Sequence, residues 1–286
     1  MSNLKEIRSR ISSVDSTKKI TRAMKMVASA KLKKAQKEIT SMRPYAEKFN
    51  ELVREFGNSL DSDVKSPYTI RRVEKKVLLI PITSNRGLCG AFNTNVAKQV
   101  KKLISQEEAA KEVQLMIIGK KGQELLSKQA TIMGSHPAIL DDLSYSNSVD
   151  LIQPVMNLYQ EEKIDKVLLL YNRFKNVAVQ ELIVEQFLPI LPTPSEESQS
   201  SNVIYEPSIQ HIVQEILPKA LKIQFYKSLR DSLAAEQAAR MTAMHIATEN
   251  ATEVLDQLKL TYNKARQAAI TAEILEIVSG AEALNS

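Results

Sequence analysis

Two stretches without a single glycine or proline, residues 3–43 near the start and residues 219–279 near the end, restrict the fold of this chain more than any other feature. In the first, apolar residues fall at Leu4, Ile7, Ile11 and Val14, and the stripe resumes at Met24, Ala28, Leu32, Ala35, Ile39 and Met42 after a polar patch at Thr17, Lys18 and Thr21. Spacings of three and four put these residues on one face of a helix with a repeat near 3.5. Pro44 is expected to end or kink that helix near Arg43. At the other end, one seam reads Phe225, Leu229, Ser232, Glu236, Ala239, Ala243 and Ile246, with Glu236 the polar exception. A second reads Val254, Leu258, Thr261, Ala265, Ala268, Ala272 and Leu275, after a slip near Asn250. A helix over 219–279 would run roughly 90 Å at about 1.5 Å per residue. A small domain cannot bury such a length, so it needs a partner helix. The N-terminal stretch has the matching period, and the intervening chain makes antiparallel pairing the simple geometry.

The seam is built from Ala, Ser and Thr where a stable zipper would use Leu and Ile. The chain has no Trp, and its aromatic content is 5%. Small seam residues let two helices approach closely and form a thin rod. A plain Ala-rich helix of high propensity is the simpler alternative; the length and phase of the pattern favour the pair.

The middle has a different grammar. Lys76–Ile82 reads as a strand, Asn93–Ile104 as an amphipathic helix and Val113–Ile118 as a second strand. A helix near Gln123–Lys128 and another over Val149–Glu162 follow, then strands at Val167–Tyr171 and Val177–Phe187. Alternation of this kind predicts an α/β unit with a largely parallel sheet, and the last two strands can form an antiparallel hairpin across Arg173–Asn176. Residues Pro192–Ser201 read as an exposed linker. The expected fold is therefore a mixed α+β and α/β chain, with a long antiparallel coiled coil of the terminal helices plus a Rossmann-like α/β domain. The corresponding boundaries are 1–57, 73–192, a linker at 193–208, and 209–286.

Charge and chemistry narrow the function. Residues 1–48 hold 13 Lys/Arg against 4 Asp/Glu within a chain of net charge +6, so a basic rod joins a nearly neutral body. That suits an acidic partner, nucleic acid or an anionic surface, or is a solvated face. No aromatic residue lies between Met1 and Arg43, so the stacking platforms common in nucleic-acid sites are missing there. No apolar run is long enough to span a membrane. His136, His211 and His245 lack metal-ligand spacing, so no metal site is expected. The single cysteine, Cys89, has no apparent basic partner and can form no internal disulfide. The segment Thr83-Ser-Asn-Arg-Gly-Leu-Cys-Gly90 lies between a strand and a helix, where α/β domains cradle phosphates. It lacks both glycine-rich phosphate patterns and reads instead as a tight turn. No catalytic residue and no cofactor are expected.

Three separated segments, in order, resemble the gamma chains of F-type ATP synthases. They are Ile7–Val14 continuing through Lys19–Leu32, the segment Thr83–Gly90 with Thr83, Arg86, Gly87 and Gly90, and Ile270–Ala283 with Ile270, Thr271, Glu273, Glu276, Gly280 and Ala281. Arg43–Glu47 and Tyr205–Pro207 add to the resemblance, which covers essentially the whole chain. Asn85 departs from the Asp common in the family, and Lys25 stands where some relatives have Glu.

The resemblance implies a non-catalytic shaft inside a ring of alternating alpha and beta subunits. Its asymmetric surface would force three beta sites into different nucleotide states as the ion-driven c-ring turns it. The α/β domain would be a foot on the epsilon subunit and the membrane c-ring. By similarity, Met24, Lys25, Arg240, Arg266, Gln267 and Thr271 would face the catalytic ring, where an acidic beta-subunit loop suits the basic rod. Ala281 to Leu284 would sit in its apolar upper bearing. Arg43, Tyr45, Glu47, Tyr205 and Glu206 would lie near the c-ring and epsilon. No nucleic acid, cofactor or membrane span is implied, and the expected location is peripheral, on the cytoplasmic face of a bacterial plasma membrane. A coiled-coil adaptor for an acidic protein and a nucleotide-using α/β enzyme are the competing readings; the C-terminal signature disfavours the first and the missing phosphate-loop spacing the second.

Overall fold

The computed structural model describes residues 4–59, 66–107, 111–190 and 209–284. Helix α1 spans Leu4–Ser59 and helix α5 spans Ile209–Leu284, 56 and 76 residues respectively. Between them lie strands β1 (Lys76–Pro81), β2 (Glu112–Ile117), β3 (Thr131–Ser135), β4 (Lys166–Phe174) and β5 (Gln180–Leu188). Helices α2 (Phe92–Lys102), α3 (Lys120–Leu126) and α4 (Tyr145–Gln160) connect them. The linker segment 193–208, with Tyr205 and Glu206, lies outside the described residues, as do the side chains of Arg43, Glu47 and Leu284.

By contacts the chain divides into two compact units, residues 29–240 and residues 1–28 together with 241–286. The larger unit contains the sheet. Its strand order is β3-β2-β1-β4-β5, with β1, β2, β3 and β4 parallel and β5 antiparallel to β4. The mixed sheet and the hairpin follow the pattern of the sequence. Central parallel strands are covered on both faces, which is why β1 and β4 read as unbroken apolar runs. Val77, Leu79, Leu115, Ile117, Leu168 and Leu170 meet Val96, Ala97 and Val100 of α2 and Leu126 of α3. On the opposite face, Leu78, Ile80, Val167 and Leu169 meet Ile152, Val155, Met156 and Tyr159 of α4 and Leu221, Phe225 and Leu229 of α5. The i, i+3, i+4, i+7 spacing on α4 makes this a continuous stripe, and Ser144 caps its start by accepting from the Asn147 amide at 3.1 Å.

In the smaller unit the two ends of the chain pair antiparallel. Thr248 donates through its hydroxyl to the Thr21 hydroxyl at 2.8 Å, and the Lys25 ammonium lies 3.3 Å from Nδ1 of His245. As α1 advances from 21 to 25, its partner retreats from 248 to 245.

Three expectations need correction. Helix α1 does not stop near Arg43 but continues through Pro44 to Ser59. Proline removes only its own N–H and one carbonyl's partner, and a long helix can carry that local defect; α4 and α5 likewise contain Pro154 and Pro218. The second seam is partly out of phase. Leu258 and Ala265 do face inward, but Val254, Thr261, Ala268, Ala272 and Leu275 are exposed, and the inward set runs Met244, Thr248, Ala251, Leu255, Leu258, Tyr262 and Ala265. Their spacings alternate four and three without a slip at Asn250. Strand β3 has no counterpart in the sequence pattern, being a short edge strand interrupted by Gly134 and paired through an irregular register between Leu115 and Met116.

Candidate functional site

No cluster of His, Cys, Asp and Glu able to hold a metal occurs among the described residues. The Cys89 thiol is buried, accepts from the Asn93 amide at 3.3 Å, and is pushed above its ordinary pKa, chiefly by desolvation. That opposes thiolate formation. Burial holds the His136 imidazole below its usual range, so it is neutral near pH 7. Two other features concentrate the residues singled out in the sequence.

The first is the segment after β1, within the larger unit. Thr83 is buried; its hydroxyl donates to the Ile118 carbonyl at 2.8 Å and accepts from the Gly122 amide at 2.9 Å. The fit leaves no room at the facing glycines: a Cβ on Gly119 would come 2.3 Å from the Thr83 carbonyl oxygen, and one on Gly122 would come 2.6 Å from its hydroxyl. Ser84 donates through its hydroxyl to the Arg86 carbonyl at 2.7 Å, and its amide donates to Oδ1 of Asn93 at 2.9 Å. Gly90 takes φ of +59°, a conformation that favours glycine at this tight turn. The Arg86 side chain is exposed.

Asn85 is used as an amide. Its Oδ1 accepts from the Lys120 amide at 3.2 Å, while Nδ2 donates to the Pro137 carbonyl at 2.9 Å and to Asp141 at 3.3 Å. A carboxylate could not donate to either acceptor and would face the like charge of Asp141.

Arg240 closes this loop. It donates to the carbonyls of Gly87 and Arg86, the latter at 3.1 Å, and pairs with Glu236 one turn earlier on α5 at 2.6 Å. Arg240 and Glu236 are 9% and 8% exposed. The polar break in the apolar seam therefore has a partner four residues on. Burial pushes the Glu236 carboxyl above its ordinary range against the pull of Arg240. A second tie escaped sequence reasoning. Arg230 pairs with Glu38 of α1 at 2.5 Å and donates to the Leu143 carbonyl at 2.7 Å, joining both long helices to the approach to α4. Both ties are long-range, and the only trace in the sequence is a charge on an otherwise inward-facing stripe.

The second feature is the surface of the smaller unit. Met24 and Lys25 are half-buried beside the α5 pairing, with His245 lying 3.5 Å from Glu249 as well as touching Lys25. Ile20, Met26 and Val27 are exposed. Among the described side chains Leu255 is the last buried one of α5, and residues 266–281 are exposed at every position. Arg266, Gln267, Thr271, Glu273, Glu276, Gly280 and Ala281 all lie there, and Thr271 donates to the Gln267 carbonyl at 2.9 Å. The same segment exposes Ile270, Ile274, Leu275, Ile277 and Val278, from 48% to 66%. A single helix of that length gains little from propensity alone, and five large apolar side chains in water are unusual for an isolated surface. In the larger unit, Tyr45 of α1 is also exposed, its ring centre 4.8 Å from that of Phe49 with the planes tilted by 55°.

The chain matches known proteins along nearly its full length. A family model described as ATP synthase matches residues 3–284. The ATP synthase gamma chain of Flavobacterium johnsoniae is 56% identical over 286 residues, covering all of both chains. This chain belongs to the ATP synthase gamma chain family. A second gamma chain, from Christiangramia forsetii, is 53% identical over 285 residues and again covers all of both. Among solved structures, the gamma-chain fold is similar to a chain in the rotor of the Euglena gracilis mitochondrial ATP synthase, with a TM-score of 0.70 at 19% identity, covering 93% of this chain and 98% of that one. A chain in the central stalk and c-ring structure of the Tetrahymena thermophila mitochondrial ATP synthase matches with a TM-score of 0.59 and 26% identity, covering 80% of this gamma chain and 99% of its own length. No helix among the described residues is long and apolar enough to cross a membrane.

Proposed function

We propose that this chain is the central rotor shaft of an F-type ATP synthase. It couples rotation of an ion-driven c-ring to ATP synthesis and hydrolysis in the beta subunits and performs no chemistry itself. The observation that carries this reading is the C-terminal end of α5, a helix that exposes Ile270, Ile274, Leu275, Ile277 and Val278 with no described side chain covering them. Covering these half-exposed groups would contribute on the order of 5 kcal/mol at the usual value per buried side chain. A ring of subunits around the helix would supply that cover. Because the helix is not symmetric about its axis, each angle presents a different surface and favours a different beta-subunit conformation, which is what coupling requires.

Met24, Lys25, Arg266, Gln267 and Thr271 form the ring-facing surface in this reading, with Ala281 and Leu284 in the apolar bearing. Arg240 contributes through the loop it holds. Arg43, Tyr45, Glu47, Tyr205 and Glu206 would meet the c-ring and epsilon. The basic N-terminal segment suits an acidic beta-subunit loop, where charges set register and encounter more than affinity. The bacterial gamma chains of high identity support a location on the cytoplasmic face of the plasma membrane, held there by partners.

Affinity capture of this chain from its native membrane should recover alpha and beta subunits in threefold molar excess. Capture of the chain alone under gentle conditions would overturn the assignment. A chain ending at Ala269 should be retained poorly by the alpha and beta subunits while its sheet remains folded by circular dichroism; undiminished retention would remove the role of the apolar end.

A further inference from the structure

The strand order places a topological switch point at β1. From β1 the chain moves to β2 on one side and later returns to β4 on the other, which opens a crevice beyond the carboxyl ends of β1 and β4. Doubly wound sheets bind their ligands in that crevice. In this chain the crevice is filled by the chain's own polar groups. Asn93, 7% exposed, accepts from the Ser84 amide and donates to the Ser84 hydroxyl at 2.8 Å and to the Cys89 sulfur. Asn172, 2% exposed, donates to the Phe92 carbonyl at 3.2 Å. Thr83 is engaged on both sides by the Ile118 carbonyl and the Gly122 amide. The outward carbonyls of the turn, those of Arg86 and Gly87, are taken by Arg240.

Arg240 and Glu236 project from α5 in a stretch where Ala234, Ala235 and Ala238 are fully buried. Small residues bring the helix close, and the one charged pair on that stretch reaches the turn. A guanidinium can meet two carbonyls and a carboxylate at once because its donors form a rigid fork; a lysine ammonium at the same position is a single point on a flexible stem.

We infer that the Glu236–Arg240 pair is a latch that fastens α5 to the Thr83–Gly90 turn, so that the sheet and the stretch of α5 packed on it turn as one body. The switch-point crevice of this fold serves as a mechanical joint in this chain, and Arg240 is a positioning residue for coupling. This rests on the rotor reading for its consequence but not for its geometry, and the two are tested separately.

Cys89 supplies a built-in probe, since it is the chain's single cysteine, is 2% exposed and sits in the turn that the latch closes. In complexes assembled with Arg240→Ala, labelling of Cys89 by a maleimide, read from the mass of this chain, should be about tenfold faster than in the wild type, reporting local opening of the turn. Inverted membrane vesicles carrying the same complex should hydrolyse ATP but move at most half as many ions per ATP. Arg240→Lys should fall between the two. Glu236→Gln, which keeps an acceptor for the guanidinium, should leave Cys89 nearly as protected as in the wild type. A role confined to stability would lower the yield of complex and leave the ion-to-ATP ratio of the assembled fraction unchanged. Normal protection of Cys89 in Arg240→Ala would overturn the latch. Faster labelling with an unchanged ratio would overturn its part in coupling. If Arg240→Ala does not assemble, Arg240→Lys decides by the same two readouts. A failure of the rotor reading shows itself differently, as the absence of alpha and beta subunits from the captured wild-type chain.

Discussion

One helix, α5, lives in two environments. From Leu217 to Arg240 its side chains are mostly enclosed, with Leu221, Phe225 and Leu229 set into the sheet's core and Ala234, Ala235 and Ala238 without accessible surface. From Arg266 to Ala281 every side chain is exposed. The two stretches do not differ much in kind: both are rich in alanine and branched apolar residues, and both are helical without interruption. What differs is where the partner surface comes from. The first stretch has its partners within the chain, in the sheet and in α1, and its helix is held by packing. The second carries the same sort of apolar surface with nothing described from this chain against it. A helix seam therefore does not reveal whether it closes on its own chain or on another one.

The sharpest way to break that contrast is to truncate one apolar residue in each stretch. Phe225, fully buried and 6.3 Å from Phe187 between ring centres, should cost about 3–5 kcal/mol when replaced by alanine. Urea denaturation of the isolated chain should show it as a lower midpoint. Ile277→Ser in the same assay should change stability by less than about 0.5 kcal/mol, yet weaken retention of alpha and beta subunits. Equal destabilisation by both would mean that the end of α5 is already packed in the free chain.

An intermediate effect is expected at Arg230, whose side chain is 15% exposed. Arg230→Met removes the pairing to Glu38 and the bond to the Leu143 carbonyl while keeping the aliphatic stem. It should cost about 2 kcal/mol, since it strands a half-buried carboxylate and a carbonyl. Adding Glu38→Gln should recover part of that loss, and purely additive losses in the double variant would show that the two do not act as a pair.

The smallest effect is electrostatic. Glu74 lies 2.5 Å from Lys111 and 3.2 Å from Lys166, and the Lys111 hydrogen bond is the main cause of its lowered pKa. A carboxyl with a depressed folded-state pKa adds stability above its ordinary pKa of 4.5, and that stability is lost as pH falls through the folded value. Because the carboxylate is 36% exposed, the contribution is discounted for solvent to under about 1 kcal/mol. Glu74→Gln should lower stability slightly at pH 7, with the gap to wild type closing in acid. A gap that widens as pH falls would reverse the sign of the argument.

Much of this is readable from residues alone, and the failures are specific. Val77–Ile82 and Val167–Tyr171 can be read as strands because a central parallel strand must be apolar on both faces. The two long helices are readable because no glycine or proline falls within residues 3–43 or 219–279. The phase of the C-terminal seam is not. Ala, Ser and Thr recur so often there that neighbouring registers score alike, and only contact with α1 selects Ala251 and Leu255 over Val254. Glu236 stands out as a break in the pattern, but its partner Arg240 looks like surface charge. The carbonyls that hold Arg240 lie about 150 residues away in sequence, at Arg86 and Gly87, and a backbone carbonyl carries no residue signature. Asn85 looks like a lost charge until the acceptors around it are visible.

Periodicity and the absence of breakers decided that this chain would have two long helices able to pair and an α/β sheet between them. The signature segments identified its family. These are local or repeating properties, written in each residue's intrinsic preference and the spacing of its neighbours. Tertiary structure alone decided which side of each helix is enclosed, that the crevice at β1 is closed by Arg240, and that α5 continues as an exposed apolar surface once its partners run out. Those outcomes depend on contacts between residues far apart in the chain, and no local preference encodes the distance between them.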